Sequence, residues 1–234
     1  MKKIIISISV IIGLVLIGYG TYKLSKSRTF QFWDNLVDRV DTDQKVIALT
    51  FDDAPSKHTD NVLDVLKDKN INATFYCIGQ NIENYPEQIK AIIDAGNELG
   101  NHTYTHDRMI FKTYSTIKNE IEKTNQLIRN AGYNGEITFR PPNGKKLIVL
   151  PYYLHQHNIK TIIWDTEPDT YHPGNTELII KYTIDHAKPG SIILLHPFCN
   201  DACLADREAL PKIIDGLKNK GYKFVTISQL LNYK

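Results

Sequence analysis

The chain has 234 residues, 42% of them hydrophobic, with 28 Lys and Arg against 26 Asp and Glu and a formal net charge of +2. That is enough chain for one domain with a sizeable core behind an apolar leader, and the even charge balance excludes the concentrated basic face of a nucleic-acid-binding protein. The three cysteines, Cys77, Cys199 and Cys203, have no C-x-x-C spacing, which excludes a zinc ribbon and a disulfide framework; Cys199 and Cys203 remain open as a local disulfide of an exported domain or as two thiols.

In chain order, Lys2-Lys3 precede an uncharged run over residues 4–22, about the length that spans a bilayer as a helix. No A-x-A-like cleavage site follows, because Gly18-Tyr19-Gly20-Thr21 matches poorly, and no cysteine is near for a lipid anchor. Residues 1–23 are therefore read as an uncleaved transmembrane anchor, with a cleaved signal and secretion as the alternative. Lys23, Lys26 and Arg28 balance Lys2, Lys3 and the terminal amine, so flanking charge does not decide the orientation. The domain is taken to be extracellular on a single-pass anchor in the cell membrane, a cytosol-facing one being the alternative. Residues 24–44 are polar but carry Phe30, Phe32 and Trp33, which suits a linker and lead-in packed on the domain.

From residue 45 to 234, strand and helix signals alternate. Strand-like runs are 45–51, 73–78, 98–101, 137–140, 159–164, 190–196 and 223–227. Helical spacing of apolar residues marks 61–67, 89–94, 117–128 and 210–217, and Gly96, Gly132 and Gly221 stand where helices stop. This alternation predicts an α/β fold on a parallel sheet, as an open doubly wound sheet or an eight-fold barrel lacking one strand. No G-x-G-x-x-G or P-loop supports a nucleotide site. Cys77 reads as a buried strand residue, and His155 and His157 as exposed at a helix end.

The chemistry-bearing residues collect at strand ends, where α/β folds place their sites. Asp52 and Asp53 follow an apolar strand and precede Ala54-Pro55. Two carboxylates so close resist ionising together without a positive partner. His102 and His106, four apart, are expected to share one face of a helical turn, a spacing that grips a metal. With one of the carboxylates they would leave coordination positions open for water. Arg140, ending 138–140 before Pro141-Pro142-Asn143-Gly144, can pair with a carboxylate and hold its pKa down. Trp164-Asp165-Thr166-Glu167-Pro168-Asp169 and Leu194-Leu195-His196 end two more strands, the second placing a histidine to meet a ligand.

These five segments, in this order over about residues 45–230, resemble the polysaccharide deacetylase family (NodB-homology domain, carbohydrate esterase family 4). Thr50 to Pro55 match its T-F-D-D-G-P, with Ala54 for glycine. His102, Thr105 and His106 match its H-x-x-x-H segment. Arg140, Pro142 and Gly144 match its R-x-P-Y segment, with Asn143 for the aromatic, and Leu194 and His196 match its Leu-x-His. The fourth segment departs most: where the family carries Asp-Trp, this chain has Thr170-Tyr171. Tyr171 can still supply an aromatic wall, and Asp165 or Asp169 can replace the missing aspartate.

The resemblance implies a distorted (β/α)7 barrel and metal-dependent removal of N-acetyl groups from a cell-wall or chitin-like polysaccharide, peptidoglycan first. It implies a divalent metal, Zn2+ first, with Co2+, Ni2+ or Mn2+ as alternatives, on Asp53, His102 and His106. Asp52 would be the general base, Arg140 its partner and His196 the general acid. Pro142, Asn143, Trp164, Asp165, Asp169, Tyr171 and Leu194 would bind substrate or tune the site. The expected partners are an acetylated glycan and, through the anchor, a membrane, with the chain a monomer. The alternatives are an acetylxylan or small N-acyl amidase or esterase on the same fold, and a non-catalytic cell-wall binding protein.

Overall fold

A computed structural model of the chain describes residues 2–33 and 35–233, with side chains of the first helix described from Ile11. The strands are β1 (Leu36–Val37), β2 (Val46–Ala54), β3 (Thr74–Cys77), β4 (Glu98–Asn101), β5 (Thr161–Ile162), β6 (Ile192–Leu195) and β7 (Lys223–Val225). Every ladder between them is parallel. β2 is the hub. It pairs with β6 through Ala48–Phe51, with β7 through Val46–Ala48 and with β3 through its C-terminal half. The near-continuous apolar sequence of β2 reflects burial on both faces, as in parallel sheets covered by helices.

Strand alternation divides the interior in two. Ile47, Leu49 and Phe51 pack outward with Phe75, Leu99, Ile193 and the helix residues Val62, Ile92 and Ile213. Val46 and Ala48 turn the other way, toward Tyr76, Ile162, Trp164, Ile192 and Leu194. The helices Thr59–Asp68, Pro86–Asp94, Tyr114–Asn130 and Leu204–Asn219 cover the expected amphipathic segments, and Gly96, Gly132 and Gly221 follow three of their ends.

Residues 137–140 correct the sequence reading. They form no ladder strand, because Pro141 and Pro142 lack the N–H groups to extend one. Phe139 instead makes isolated parallel bridges to Asn101 and Thr161, and Asn101 N–H reaches Thr138 O at 2.8 Å while Ile162 N–H reaches Phe139 O at 2.8 Å. Thr166 bridges to Ile193 in the same way. These bridges carry the hydrogen bonding from β4 through Phe139 and β5 to β6 and back to β2.

The lead-in segment is part of this structure. β1 pairs with β5, and Arg39 bridges to Ser191. Val40 is fully buried, and its N–H donates to Gly190 O at 3.0 Å. Gly190 has φ +77°, and a Cβ there would lie 1.8 Å from Val40 O.

The segment before it is the helix Lys2–Ser25. Ile11, Leu14, Val15, Leu16 and Ile17 on it are exposed. Met1 and the side chains of Lys2 and Lys3, on which the anchor reading draws, lie outside the described residues. Among the described residues, no helix is long and apolar enough to cross a membrane.

Gly190→Ala is expected to destabilise the domain by about 1–3 kcal/mol, through both the contact and the left-handed backbone. The midpoint of urea unfolding measures it. A change within a few tenths of a kcal/mol would mean that Val40 is not held against this turn.

Candidate active site

Strict alternation along β2 would send Asp52 and Asp53 to opposite faces. Asp52 follows the parity of Val46, Ala48 and Thr50 and enters the barrel mouth. Asp53 does not turn away, because the β2–β3 register shifts between Phe51↔Phe75 and Ala54↔Cys77. β2 spends one extra residue there, as in a bulge, and Asp53 takes φ +67°. Both carboxylates thereby line one cleft of about 680 Å³. Ala54 is fully buried in the outer apolar cluster, so its methyl group does not narrow the cleft.

Arg140 separates the two acids. Its guanidinium is fully buried and donates to Asp52 Oδ1 at 2.7 Å and to Thr50 Oγ1 at 2.9 Å. Nε and Nη2 each donate at 3.2 Å, to Ile162 O and Ile163 O, and the group lies 4.0 Å from the Tyr76 ring centroid. Burial alone would raise the Asp52 pKa, but Arg140, with His102 and His196, holds it below its usual value. Asp53 has no such partner. Its Oδ1 is buried without a hydrogen bond and faces His106 Nε2 at 3.3 Å and His102 Nε2 at 3.7 Å.

The two histidines do not share a helical turn, which corrects the sequence reading. The backbone turns through Thr103 at φ +68° and His106 at φ +62°. Asn101 Oδ1 accepts the Thr103 N–H at 2.8 Å, and Thr103 Oγ1 accepts the His106 N–H at 3.0 Å. Glu120, on the helix Tyr114–Asn130, accepts the Tyr104 and Thr105 N–H groups at 2.9 Å each. His102 Nδ1 lies 2.7 Å from Arg140 O. A carbonyl only accepts, so Nδ1 carries the proton and Nε2 presents its lone pair between the two carboxylates, 3.5 Å from Asp52 Oδ2 and 3.7 Å from Asp53 Oδ1. Burial, against the pull of Asp52 and Asp53, keeps the His102 pKa below its usual value and the ring neutral.

Ligand atoms of Asp53, His102 and His106 all lie within 4.8 Å of one another. One carboxylate and two imidazoles around an orphaned carboxylate oxygen fit a divalent cation that keeps open positions.

Opposite stands His196, half-buried after β6. Its Nδ1 and its backbone N–H both reach Asp169 Oδ2 at 2.8 Å. The choice between Asp165 and Asp169 therefore falls on Asp169. Asp165 is turned to Ser191 Oγ at 2.7 Å and Ile192 N–H at 2.9 Å. Burial disfavours the imidazolium, but Asp169, then Asp52 and Asp53, raise the His196 pKa to about 10. Behind the pair, burial and the Asp169 charge push Asp206 up to about 7.

Asn143, Trp164 and Tyr171 line the cleft. Leu194 and Pro142 do not: Leu194 is fully buried in the inner apolar cluster, and Pro142 is buried under the turn Pro142–Gly144. Asp165 also faces away, so none of these three lines the cleft, and any contribution they make to the site is from behind it. Sequence reasoning missed Glu167, which accepts from Trp164 Nε1 at 2.9 Å and Thr170 Oγ1 at 2.9 Å. Its spacing three residues after Trp164 was the available signal. It also missed Tyr22, Lys26 and Arg28 on the cleft wall, where no motif marks them. Cys199 and Cys203, in the loop after His196, form a disulfide with Cα atoms 5.4 Å apart. Cys77 is a buried thiol.

A family model described as polysaccharide deacetylase matches residues 39–162. A bifunctional xylanase/deacetylase of Pseudobutyrivibrio xylanivorans is 38% identical over 82% of this chain, which spans 31% of that relative's length. A peptidoglycan-N-acetylglucosamine deacetylase of Bacillus cereus is 34% identical over 83% of this chain and 92% of its own. The crystal structure of a peptidoglycan N-acetylglucosamine deacetylase in complex with 4-naphthalen-1-yl-N-oxidanyl-benzamide superposes with TM-score 0.79 at 30% identity, covering 84% of this chain and 92% of that one.

The His196–Asp169 contact sets a titration with a definite sign. A pKa raised in the folded state gives stability that is present below the ordinary imidazole value near ~6.5 and is lost as pH rises through about 10. Asp169→Asn should bring the His196 titration, followed by NMR on the metal-free chain, down toward that ordinary value. An unchanged titration would mean that Asp169 does not hold the proton.

Proposed function

This chain belongs to the polysaccharide deacetylase family, and from that premise we propose that it hydrolyses N-acetyl groups of a cell-wall glycan, peptidoglycan first, releasing acetate. One observation carries the reading: an ionised acid held by Arg140 and a protonated histidine held by Asp169 flank the Asp53, His102 and His106 cluster in one cleft. Relatives named as peptidoglycan deacetylases support the substrate class.

A divalent cation on Asp53, His102 and His106, Zn2+ first, would supply Lewis acidity toward the acetyl carbonyl and a more acidic water. The chain's own residues do the rest. Asp52, not committed to the cluster, takes the proton of the attacking water as general base. Arg140 keeps Asp52 ionised and aimed. His196, protonated and oriented through Nδ1, gives its proton to the departing amine from Nε2. Tyr171, exposed on the cleft, offers a face for a sugar ring, Trp164 backs the wall under Arg28, and the turn at Asn143, left-handed at φ 54°, brings backbone to the cleft. The apolar run of residues 4–22 anchors the chain in the cell membrane, with the domain on the outer side against the wall.

A second reading, a non-catalytic glycan-binding protein, rests on the departures at Ala54, Asn143 and Thr170. Hydrolysis is favoured over it because base, acid and cluster are all present with their partners.

The test is acetate release by the full chain from peptidoglycan, acetylated chito-oligosaccharides and acetylxylan, with and without a chelator. Asp52→Ala and His196→Ala should each lower kcat by about 10²-fold or more, and chelation should abolish turnover until metal is restored. The rate should rise as Asp52 ionises at acid pH and fall as His196 loses its proton toward pH 10. Full activity in either variant would overturn the acid–base pair. Binding without turnover on every substrate would favour the non-catalytic reading.

A further inference from the structure

One wall of the cleft comes from outside the family match, which begins at residue 39. It is the end of the helix Lys2–Ser25 and the turn behind it, which bring Tyr22, Lys26 and Arg28 to the cleft. This wall is fastened at several points. The Lys146 N–H donates to Ser25 O at 2.9 Å, and its buried ammonium donates to Ser27 O. Arg28 pairs with Glu167, the same carboxylate that holds Trp164, and lies 5.0 Å from the Trp164 ring centroid.

Along that wall three cations gather. Lys26 Nζ and Lys145 Nζ sit over the Tyr22 ring at 4.5 and 4.4 Å from its centroid. Arg108 is fixed beside them, its Nε donating to Asn143 Oδ1 at 2.8 Å. Burial, together with the like charges of Lys26 and Arg108, pulls the Lys145 pKa below its usual value against the opposing pull of Tyr22. Among the described residues, none of the three cations forms an ion pair with a carboxylate. The cleft is thus bipolar, with Asp52 and Asp53 at one end and a cationic cluster without a counter-ion at the other. A neutral N-acetylated glycan offers that cluster hydrogen-bond acceptors but no opposite charge, whereas an anion there would relieve the repulsion and form charge-assisted hydrogen bonds.

We propose that Lys26, Lys145 and Arg108 form a subsite for a carboxylate carried by the glycan beside the sugar being deacetylated. The inference rests on the deacetylase reading and deepens it: the preferred strand is an acidic one, such as a glycan whose sugars bear a lactyl ether. The competing use of these cations is contact with anionic lipid headgroups next to the anchor. All three lie outside the anchor, two of them on loops of the domain, and Lys26 Nζ is turned to Tyr22 Oη at 3.3 Å, both of which favour the glycan.

The experiment is calorimetric binding to the full chain in detergent micelles, using already de-N-acetylated oligosaccharides that cannot turn over. One ligand bears a free lactyl carboxylate, and the other is the same glycan with that carboxylate amidated. The free acid should bind about tenfold tighter, a preference that shrinks in high salt and is lost in Lys26→Glu and Lys145→Glu. Retention of the fold in both variants is read from circular dichroism. Equal binding of the two ligands by the unaltered chain overturns the subsite. So does a preference that survives both charge reversals, including the case in which the reversals alter only binding to vesicles of anionic lipid. Loss of the deacetylase reading shows separately, as absent acetate release with the carboxylate preference intact.

Discussion

The site depends on a break in alternation. A β-strand presents consecutive side chains to opposite faces, so two adjacent aspartates can act in one cleft only if the strand spends an extra residue. β2 does so between Phe51 and Ala54, and the left-handed Asp53 completes the turn. Ladder bonding to β6 continues up to Phe51, so the irregularity begins where the chemistry begins. A bulge at a strand end re-aims side chains in this way without disturbing the sheet below it.

Bringing two carboxylates together creates an electrostatic problem that Arg140 resolves unequally. The guanidinium takes one oxygen of Asp52 and leaves Asp53 open to the histidines. A buried ion pair of this kind is weak evidence for stability, since desolvation of both ions offsets their attraction, but losing one partner costs about 3–5 kcal/mol. Here the other donors of Arg140 end on Ile162 O and Ile163 O, at the β5 part of the ring. The irregular closure through Phe139 and the protonation state of Asp52 therefore rest on the same side chain. His196 shows the mirror arrangement, a cation held by Asp169 through both side chain and backbone.

Most of the architecture was legible because its signals are local. Apolar runs marked the strands and helical spacing marked the helices. Five strand-end segments were enough to single out Asp52, Asp53, His102, His106, Arg140 and His196. What was not legible depends on long-range geometry. Residues 137–140 look like a strand until the prolines that follow are set against the neighbouring hydrogen bonds. His102 and His106 have helical spacing, yet Glu120, far along the chain, ties the intervening N–H groups into a loop. Asp165 and Asp169 are equivalent in sequence and are separated only by which strand end each one meets. Leu194 shares both a motif and a strand face with His196, but it lies one step deeper in the barrel and is fully buried there. Tyr22, Lys26 and Arg28 have no periodic signal, because their place on the cleft is set by how the first helix meets the barrel.

The central claim is the division of labour between the two adjacent aspartates, and metal binding tests it directly without reference to turnover. Zn2+ would be titrated calorimetrically into the full chain and into its Asp52→Asn and Asp53→Asn variants. Asp53→Asn should weaken binding by more than about a hundredfold, while Asp52→Asn should stay within about tenfold of the unaltered chain. Equal losses in the two variants, or the larger loss in Asp52→Asn, would contradict the account, because Asp52 would then be a ligand and not a free base.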